Sequence, residues 1–210
     1  MNDWILISHK ESDMRKTELS LGIAVVAAMA AGMFIGCSSK EEGQMTNTKG
    51  SAATVEVGVV ELTSPVFDNG QPIPVDYTGD GKDISPALEW KGVPEDAKSI
   101  AIICEDPDAP RGTFVHWIIF NINPKAGGLP EGVPASEILQ GGMRQGTNSF
   151  DKVGYRGPSP PKGPAHRYFF KLYALDTMLD VPQGARKTQL LEAMKGHITA
   201  EGELMGTYKR

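Results

Sequence analysis

Hydrophobic and polar positions alternate in short runs over most of the chain, and Gly-, Pro- and Asp-rich segments separate the runs. Short runs rich in β-branched and aromatic residues are typical of β-strands, and the segments between them are typical of turns. This pattern predicts strands at VEVGVVEL (55–62), KSIAIIC (98–104), FVHWIIFNI (114–122) and HRYFFKLYAL (166–175).

One segment has the spacing of an amphipathic helix. It is ARKTQLLEAMKGH, in which Lys187 to Met194 form the predicted helix and Gly196 is suited to end it. The rest of the chain has no internal repeat and no alternating βαβ pattern. The pattern therefore predicts a mainly β fold, an antiparallel β-sandwich with one or two short helices.

Polar residues stand at the ends of the predicted strands, in line with apolar ones. Because side chains on a strand alternate between faces, Asp106 shares a face with Ile100, Ile102 and Cys104. The same rule predicts a face shared by His116, Ile118, Phe120 and Ile122, and another that begins with His166 and Tyr168. If these faces line one core, Asp106, His116, His166 and Tyr168 meet at its mouth. Each histidine taken singly is more typical of a structural hydrogen-bond donor.

The N-terminal region has the layout of an export signal. Arg15 and Lys16 precede the uncharged stretch 19–36, and FIGC follows, with Gly36 directly before Cys37. This order is similar to a bacterial lipoprotein signal, so residues 1–36 are predicted to be a signal peptide and Cys37 to carry a lipid. The alternatives are a plain secretory signal or a membrane anchor, although the stretch is short and rich in Ala and Gly. Met14 would give a conventional start, so residues 1–13 are also open to interpretation as a mis-assigned extension.

The segment 37–54 is polar, small and without periodicity, which predicts a flexible tether between the lipidated Cys37 and a folded domain at 55–210. The predicted location is the cell envelope, at the outer membrane or periplasm if the host has two membranes. Cys104 then has no partner for a disulfide, and its apolar surroundings favour a small buried residue over a nucleophile.

Composition and charge exclude some classes of partner. The 210 residues are 40% hydrophobic and 22% charged, which is ordinary for a globular protein. The formal net charge is −5 and no basic cluster offsets it, which argues against a nucleic-acid partner.

Motifs for several kinds of chemistry are missing. His and Asp could bind a metal, but no H-x-H or H-x-x-x-H pair places two ligands on one element, so no metal is expected. The chain has no G-x-S-x-G motif, no Gly-rich phosphate loop and no reason for Asp106 and Asp108 to flank a sugar ring. We therefore expect a protein that is not an enzyme and needs no cofactor.

Two regions carry a family resemblance. Residues 84–122, with D-P-D-A-P at 106–110 and H-W at 116–117, and residues 154–176, with G-x-x-P-P-x-G and H-R-Y, resemble the signatures of the phosphatidylethanolamine-binding proteins. The likeness is to the bacterial, Raf-kinase-inhibitor-like branch (YbhB/YbcL type) and extends from about Val59 to the C-terminus. Many bacterial relatives carry cysteines where this chain has Gly79 and Ser159.

The resemblance implies an antiparallel β-sandwich with a small anion-accepting pocket. Transferred by motif, the ligand-binding residues are Asp106, Asp108, Pro110, His116, Pro161, His166 and Tyr168. Histidine and tyrosine can donate hydrogen bonds to a phosphate ester. The aspartates are expected to orient the imidazoles, or to accept the ammonium group of an ethanolamine head.

The expected function is a membrane-tethered binding protein for small phosphate-bearing or anionic groups, including phospholipid head groups. Inhibition or regulation of a protein partner of the protease or kinase type is an alternative, and a cryptic hydrolase is another. Raf inhibition itself is not expected outside the cytosol.

Overall fold

The computed structural model describes residues 57–210, which contain nine β-strands and one α-helix. The strands are β1 (Gly58–Val59), β2 (Glu61–Thr63), β3 (Leu88–Lys91), β4 (Ser99–Asp106), β5 (Phe114–Ile122), β6 (Gly128–Leu129), β7 (Arg144–Gln145), β8 (His166–Leu175) and β9 (Ile198–Tyr208), and the helix is α1 (Lys187–Met194). Three single 3₁₀ turns lie at Val75–Tyr77, Pro124–Ala126 and Gln140–Gly142. The predicted signal peptide, the tether with Cys37 and the first two residues of the predicted domain lie outside the described residues.

The strands form two sheets. The large sheet has the order β1-β9-β8-β4-β5-β7, and the small sheet has the order β2-β3-β6. All strand pairs are antiparallel except β1 with β9, which run parallel over two residues. The predicted mainly β sandwich with one helix is confirmed, and the parallel edge is a departure from a purely antiparallel arrangement.

Each face of the large sheet packs against its own hydrophobic core. One face meets the small sheet in a core that includes Ile102, Trp117 and Phe170. The other face packs against α1 in a second core that includes Ile103 and Leu190. Because both faces are covered, all eight residues of β4 are buried, including its two carboxylates. This explains why the strand is a continuous apolar run in the sequence.

Three of the four predicted strands and the helix are confirmed. The structure has β5 at Phe114–Ile122, β8 at His166–Leu175 and α1 at Lys187–Met194, which match the prediction, and β4 extends two residues further than predicted, to Asp106. The predicted burial of Cys104 is also confirmed, since its exposed fraction is 1%.

The first predicted strand is wrong as a single element. From Gly58 onward it divides into β1 and β2, which belong to different sheets, and Val60 lies between them. The Val60 N–H donates to the carbonyl of Glu201 at 2.7 Å, and a Cβ on Gly202 would lie 2.5 Å from the Val60 carbonyl oxygen. The chain therefore crosses between the sheets in close backbone contact, which a regular strand pattern does not reveal. The sequence pattern also missed β3 and most of β9.

A buried ion cluster attaches α1 to the large sheet. The Glu105 carboxylate accepts hydrogen bonds from Lys171, at 2.8 Å, and from Lys187 in the first turn of α1. Burial alone would raise the pKa of Glu105, but these two lysines outweigh it and hold the pKa below its ordinary value.

No helix within residues 57–210 has the length and apolar character needed to span a membrane.

Candidate functional site

The ends of three neighbouring strands bring the predicted site residues together. In the large sheet β4 lies between β8 and β5 and runs antiparallel to both. The end of β4 at Asp106 therefore lies beside the start of β5, which carries His116, and the start of β8, which carries His166 and Tyr168. Residues that are 60 positions apart in the chain meet at one edge of the sheet.

A β-bulge sets the position of His116. Cys104 pairs with Trp117 and Glu105 pairs with Val115, so His116 is an extra residue on β5 with no partner on β4. A bulge inserts one residue into a strand and changes the direction of the side chains around it.

The bulge at His116 and a second register shift, opposite Ile100–Ile102, make the predicted face of β5 wrong. Strict alternation places His116 with Ile118, Phe120 and Ile122, but Ile118 and Phe120 belong to the core beside α1 and Ile122 belongs to the core between the sheets. The His116 ring instead packs edge-on against Tyr168, with ring centroids 5.2 Å apart. Both side chains line a single cavity at the end of β4.

The cavity has a volume of about 170 Å³. Drug-sized ligands occupy pockets of roughly 300–1,000 Å³, so this one suits a smaller group such as a phosphate. It is lined by six of the seven predicted binding residues, Asp106, Pro110, His116, Pro161, His166 and Tyr168, together with Ala109, Phe114, Phe150, Ser159 and Pro160.

Asp106 and His166 form a buried pair on this wall. His166 Nδ1–H donates to Asp106 Oδ2 at 2.8 Å, and the exposed fractions of the two side chains are 8% and 5%. The other carboxylate oxygen of Asp106 accepts the N–H of Asp108 at 2.8 Å. The carboxylate thus fixes the orientation of the imidazole. Because Asp106 binds Nδ1, the other ring nitrogen of His166, Nε2, is not used by this pair.

His116 is held by a backbone carbonyl. Its Nδ1–H donates to the carbonyl oxygen of Arg156 at 2.6 Å, and Phe114 and Phe150 pack edge-on against its ring. Because a carbonyl only accepts, Nδ1 carries a proton and Nε2 is the nitrogen left for a ligand. Burial lowers the pKa of His116 below its ordinary value, although the Arg156 carbonyl and the charge of Asp106 act in the opposite direction.

The Tyr168 hydroxyl is a buried donor that makes no hydrogen bond of normal geometry in the described part of the chain. Its side chain is fully buried, and among residues 57–210 it is the one buried side-chain polar atom without a hydrogen-bond partner. Burial, reinforced by the charge of Asp106 and by the proximity of its carboxylate to the hydroxyl, raises the pKa of Tyr168, so the hydroxyl keeps its proton.

Asp108 is the predicted site residue that lies apart from the cavity lining. Its carboxylate accepts the backbone N–H of Arg167 at 2.9 Å and two guanidinium N–H groups of the same residue at 2.9 and 2.7 Å. These bonds from Arg167 lower the pKa of Asp108 to about 2. The hydrogen bonds of the Asp108 carboxylate thus go to Arg167, and they tie the loop after β4 to the start of β8.

Sequence reasoning missed the aromatic part of the lining. Phe150 follows a polar segment, and the side chain of Asn148 positions it by accepting the N–H groups of Phe150 and Lys152 at 2.9 and 3.2 Å. An Asn two residues before an aromatic residue is a signal for such a turn, but it does not reveal which side chains the aromatic residue contacts.

The structure bears on two chemical alternatives. Within residues 57–210 no three His, Cys, Asp or Glu side chains are grouped as a metal site would require. Ser159 lines the cavity, yet no hydrogen bond in the described region joins its hydroxyl to either histidine. In the described region Ser159 is therefore not paired with a histidine base in the way that an activated serine nucleophile is.

Comparison with known sequences finds the same family that the sequence motifs resemble. The sequence profile of the phosphatidylethanolamine-binding proteins matches residues 63–209. A UPF0098 protein from Methanothermobacter thermautotrophicus is 52% identical over 151 residues, which are 72% of this chain and 99% of the relative. A UPF0098 protein from Pyrococcus abyssi is 48% identical over 150 residues, which are 70% of this chain and 84% of the relative.

Solved structures give the same likeness. A phosphatidylethanolamine-binding protein homologue from Chlamydia trachomatis has a TM-score of 0.67 and 44% identity, covering 73% of this chain and 99% of its own. YbcL of Escherichia coli, described as a member of the mammalian PEBP family, has a TM-score of 0.66 and 31% identity, covering 72% of this chain and 98% of its own.

Proposed function

The chain belongs to the phosphatidylethanolamine-binding protein family, and from that premise we propose that it binds small phosphate-bearing anions, including phospholipid head groups, in the cavity at the end of β4. We further propose that it belongs to the YbhB/YbcL-type branch and acts as an exported lipoprotein tethered through Cys37. Ligand binding without catalysis and without a cofactor is part of the same proposal.

The buried, unpartnered hydroxyl of Tyr168 is the observation that carries the proposal. A buried donor without an acceptor is costly, and an oxygen of a bound anion would supply the acceptor. The two imidazoles beside it each use Nδ1 within the protein, so Nε2 of each can donate to the same anion once it is protonated. Binding is therefore expected to weaken as the pH rises, because the neutral His116 ring has no proton on Nε2 to donate.

The positions of the two carboxylates favour recognition of the phosphate over the ammonium of an ethanolamine head. Asp106 is already bonded to His166 and to a backbone N–H, and Asp108 is bonded to Arg167. We therefore expect phosphate and phosphoethanolamine to bind with similar affinity.

Titration calorimetry with phosphate and with phosphoethanolamine tests the proposal. A hydrogen bond to a charged group contributes roughly 1.5–3 kcal/mol, so His116→Ala and His166→Ala should each weaken binding by about one to two decades. His197→Ala is a matched control, because His197 also donates Nδ1–H to a carboxylate, that of Asp176 at 2.7 Å, but on the exposed surface.

Three results would contradict the proposal. Equal binding by the wild type and both cavity variants would mean that the anion binds elsewhere. Loss of binding in His197→Ala would mean that the effect is not specific to the cavity. Loss of binding when a chelator is added would show that a metal is required.

A further inference from the structure

A second layer of contacts lies behind His116 and reaches a residue outside the cavity. Asp83 is absent from the lining of the anion cavity and lines a separate hollow of about 430 Å³ together with Arg156. Its Oδ1 accepts the N–H of Gly157 at 2.7 Å, and its Oδ2 pairs with the Arg156 guanidinium at 2.7 Å.

One peptide unit connects Asp83 to His116. The Arg156 carbonyl and the Gly157 N–H belong to the same planar peptide group, in which the two bonds point in opposite directions. The N–H is held by Asp83, and the carbonyl accepts Nδ1–H of His116 at 2.6 Å. Rotation of this peptide about its flanking bonds would break both hydrogen bonds together, so the orientation that Asp83 selects is the one that His116 needs.

The backbone is tightly packed at this peptide. A Cβ on Gly157 would lie 2.5 Å from the carbonyl oxygen of Tyr77, so the backbone passes there in close contact. Asp83 itself has φ of 57°, in the left-handed region that is uncommon for residues other than glycine. Aspartate tolerates this conformation better than most residues, and here its side chain is engaged by the Gly157 N–H and the Arg156 guanidinium.

We infer that Asp83 is a positioning residue for the anion site: by holding the Arg156–Gly157 peptide it keeps Nδ1–H of His116 on the Arg156 carbonyl, in the neutral and the protonated ring alike, and so leaves Nε2 to donate to the ligand when it is protonated. The effect on binding rests on the proposed function, whereas the effect on the tautomer does not. His116 is the bulged residue of β5 and has no partner on β4, so the Arg156–Gly157 segment holds it instead: the Arg156 N–H also donates to the His116 carbonyl at 3.1 Å.

The test compares three variants of the full chain. Asp83→Gly removes the carboxylate and tolerates the positive φ, so it separates the side chain's role from backbone strain. Asp83→Asn keeps an oxygen that can accept the Gly157 N–H and should rescue the wild-type behaviour. Asp76→Gly is the matched control, since Asp76 forms an exposed ion pair with Lys82 in the same segment and has no bond to residues 156–157.

The first measurement is the ¹⁵N spectrum of the His116 ring without ligand, at a pH where the ring is neutral. The wild type, Asp83→Asn and Asp76→Gly should show protonated Nδ1 and unprotonated Nε2, and Asp83→Gly should show a mixture of tautomers. A folded Asp83→Gly variant that keeps the pure Nδ1–H tautomer would overturn the inference. If that variant does not fold, a tautomer mixture in folded Asp83→Asn would overturn it, and a pure Nδ1–H tautomer there would support it.

The second measurement is phosphate affinity by calorimetry. Loss of one orienting hydrogen bond should weaken binding about five- to tenfold in Asp83→Gly, with recovery in Asp83→Asn. A wild type that binds no phosphate would refute the proposed function, while the ring spectrum would still decide the role of Asp83. Phosphate affinity unchanged in a folded Asp83→Gly variant that does show mixed tautomers would overturn the claim that this orientation of the ring serves binding.

Discussion

The Tyr168 hydroxyl gives the residue-scale prediction that most directly separates binding from stability. A buried polar group without a partner costs about 1–3 kcal/mol, and Tyr168→Phe removes that group while keeping the ring. The variant should therefore raise the free energy of unfolding of the ligand-free protein by about 1 kcal/mol and weaken phosphate binding. Urea unfolding without phosphate and calorimetry with phosphate measure the two effects.

Tyr155→Phe is the control for that experiment. Tyr155 is also buried, but its hydroxyl donates to the carbonyl of Tyr77 at 2.8 Å, so its removal should lower the free energy of unfolding by about 1 kcal/mol. Destabilisation of both variants by the same amount would show that the Tyr168 hydroxyl has a partner in solution.

The pKa of His116 predicts a pH dependence of stability. Burial lowers this pKa in the folded protein, so between the lowered value and about 6.5 the unfolded chain binds more protons than the folded one. The free energy of unfolding should therefore fall as the pH is lowered below about 6.5, and His116→Gln should lose less stability over that range than the wild type. Urea unfolding at pH 7.5 and pH 5.5 measures the difference, with His197→Gln as a surface control. Equal losses in the wild type and His116→Gln would contradict the prediction.

Asp106 and Asp108 show where sequence reasoning stops at the residue scale. Both lie in one D-P-D motif and both were expected to serve the cavity, yet only Asp106 reaches an imidazole. Asp108 instead binds Arg167, the residue next to His166, at the start of β8. The motif indicates the place in the fold, but which partner each carboxylate finds depends on the path of a loop that has no periodic pattern.

At the scale of elements, continuous apolar runs predicted β4 and β5, because both faces of these strands are buried. The boundaries of β5, β8 and α1 followed from the sequence, since each apolar run ends where burial ends. The bulge at His116 did not, because an inserted residue leaves the composition of the strand unchanged and alters only its register. The short edge strands were also missed, since two paired residues leave almost no pattern.

Two loops that flank the cavity offer a test of how its wall is held. A Cβ on Gly79 would lie 3.1 Å from the Cβ of Ser159, a little closer than the 3.5–4.5 Å typical of disulfides, and the Gly79 N–H donates to the Pro158 carbonyl at 2.8 Å. Gly79→Cys with Ser159→Cys should therefore form a disulfide after a small shift. For a loop of this length the chain-entropy model gives a stabilisation of up to about 4 kcal/mol.

Thermal unfolding with and without reductant measures this effect, in a chain that also carries Cys37→Ser to prevent mispairing. The single variant Gly79→Cys is the control and should not respond to reductant. If thiol titration shows that the bond has formed but the melting temperature does not rise, the two loops are not held at the distance that the structure gives.

At the scale of the whole molecule, the cavity and the start of the described domain lie at opposite ends of the large sheet. Gly58 in β1 pairs with Ala200 in β9, whereas the cavity end of β9 pairs Tyr208 with His166. Eight residues of strand separate these positions, which is roughly 26 Å. An attachment through the N-terminal side of the domain would therefore leave the cavity end of the sheet free for a ligand.

The last prediction concerns that attachment. Because basic residues, an uncharged stretch and FIGC occur in this order, Cys37 should become the lipidated N-terminus of the mature protein. Mass spectrometry of protein extracted from membranes should find the lipid on Cys37, and Cys37→Ser should release the protein from the membrane fraction. Cys104→Ala is the matched control and should stay in that fraction, because the Cys104 thiol is buried and burial raises its pKa well above the ordinary value, which makes it inert. A Cys37→Ser variant that remains equally bound, or a mature chain that begins before Met14, would contradict the prediction.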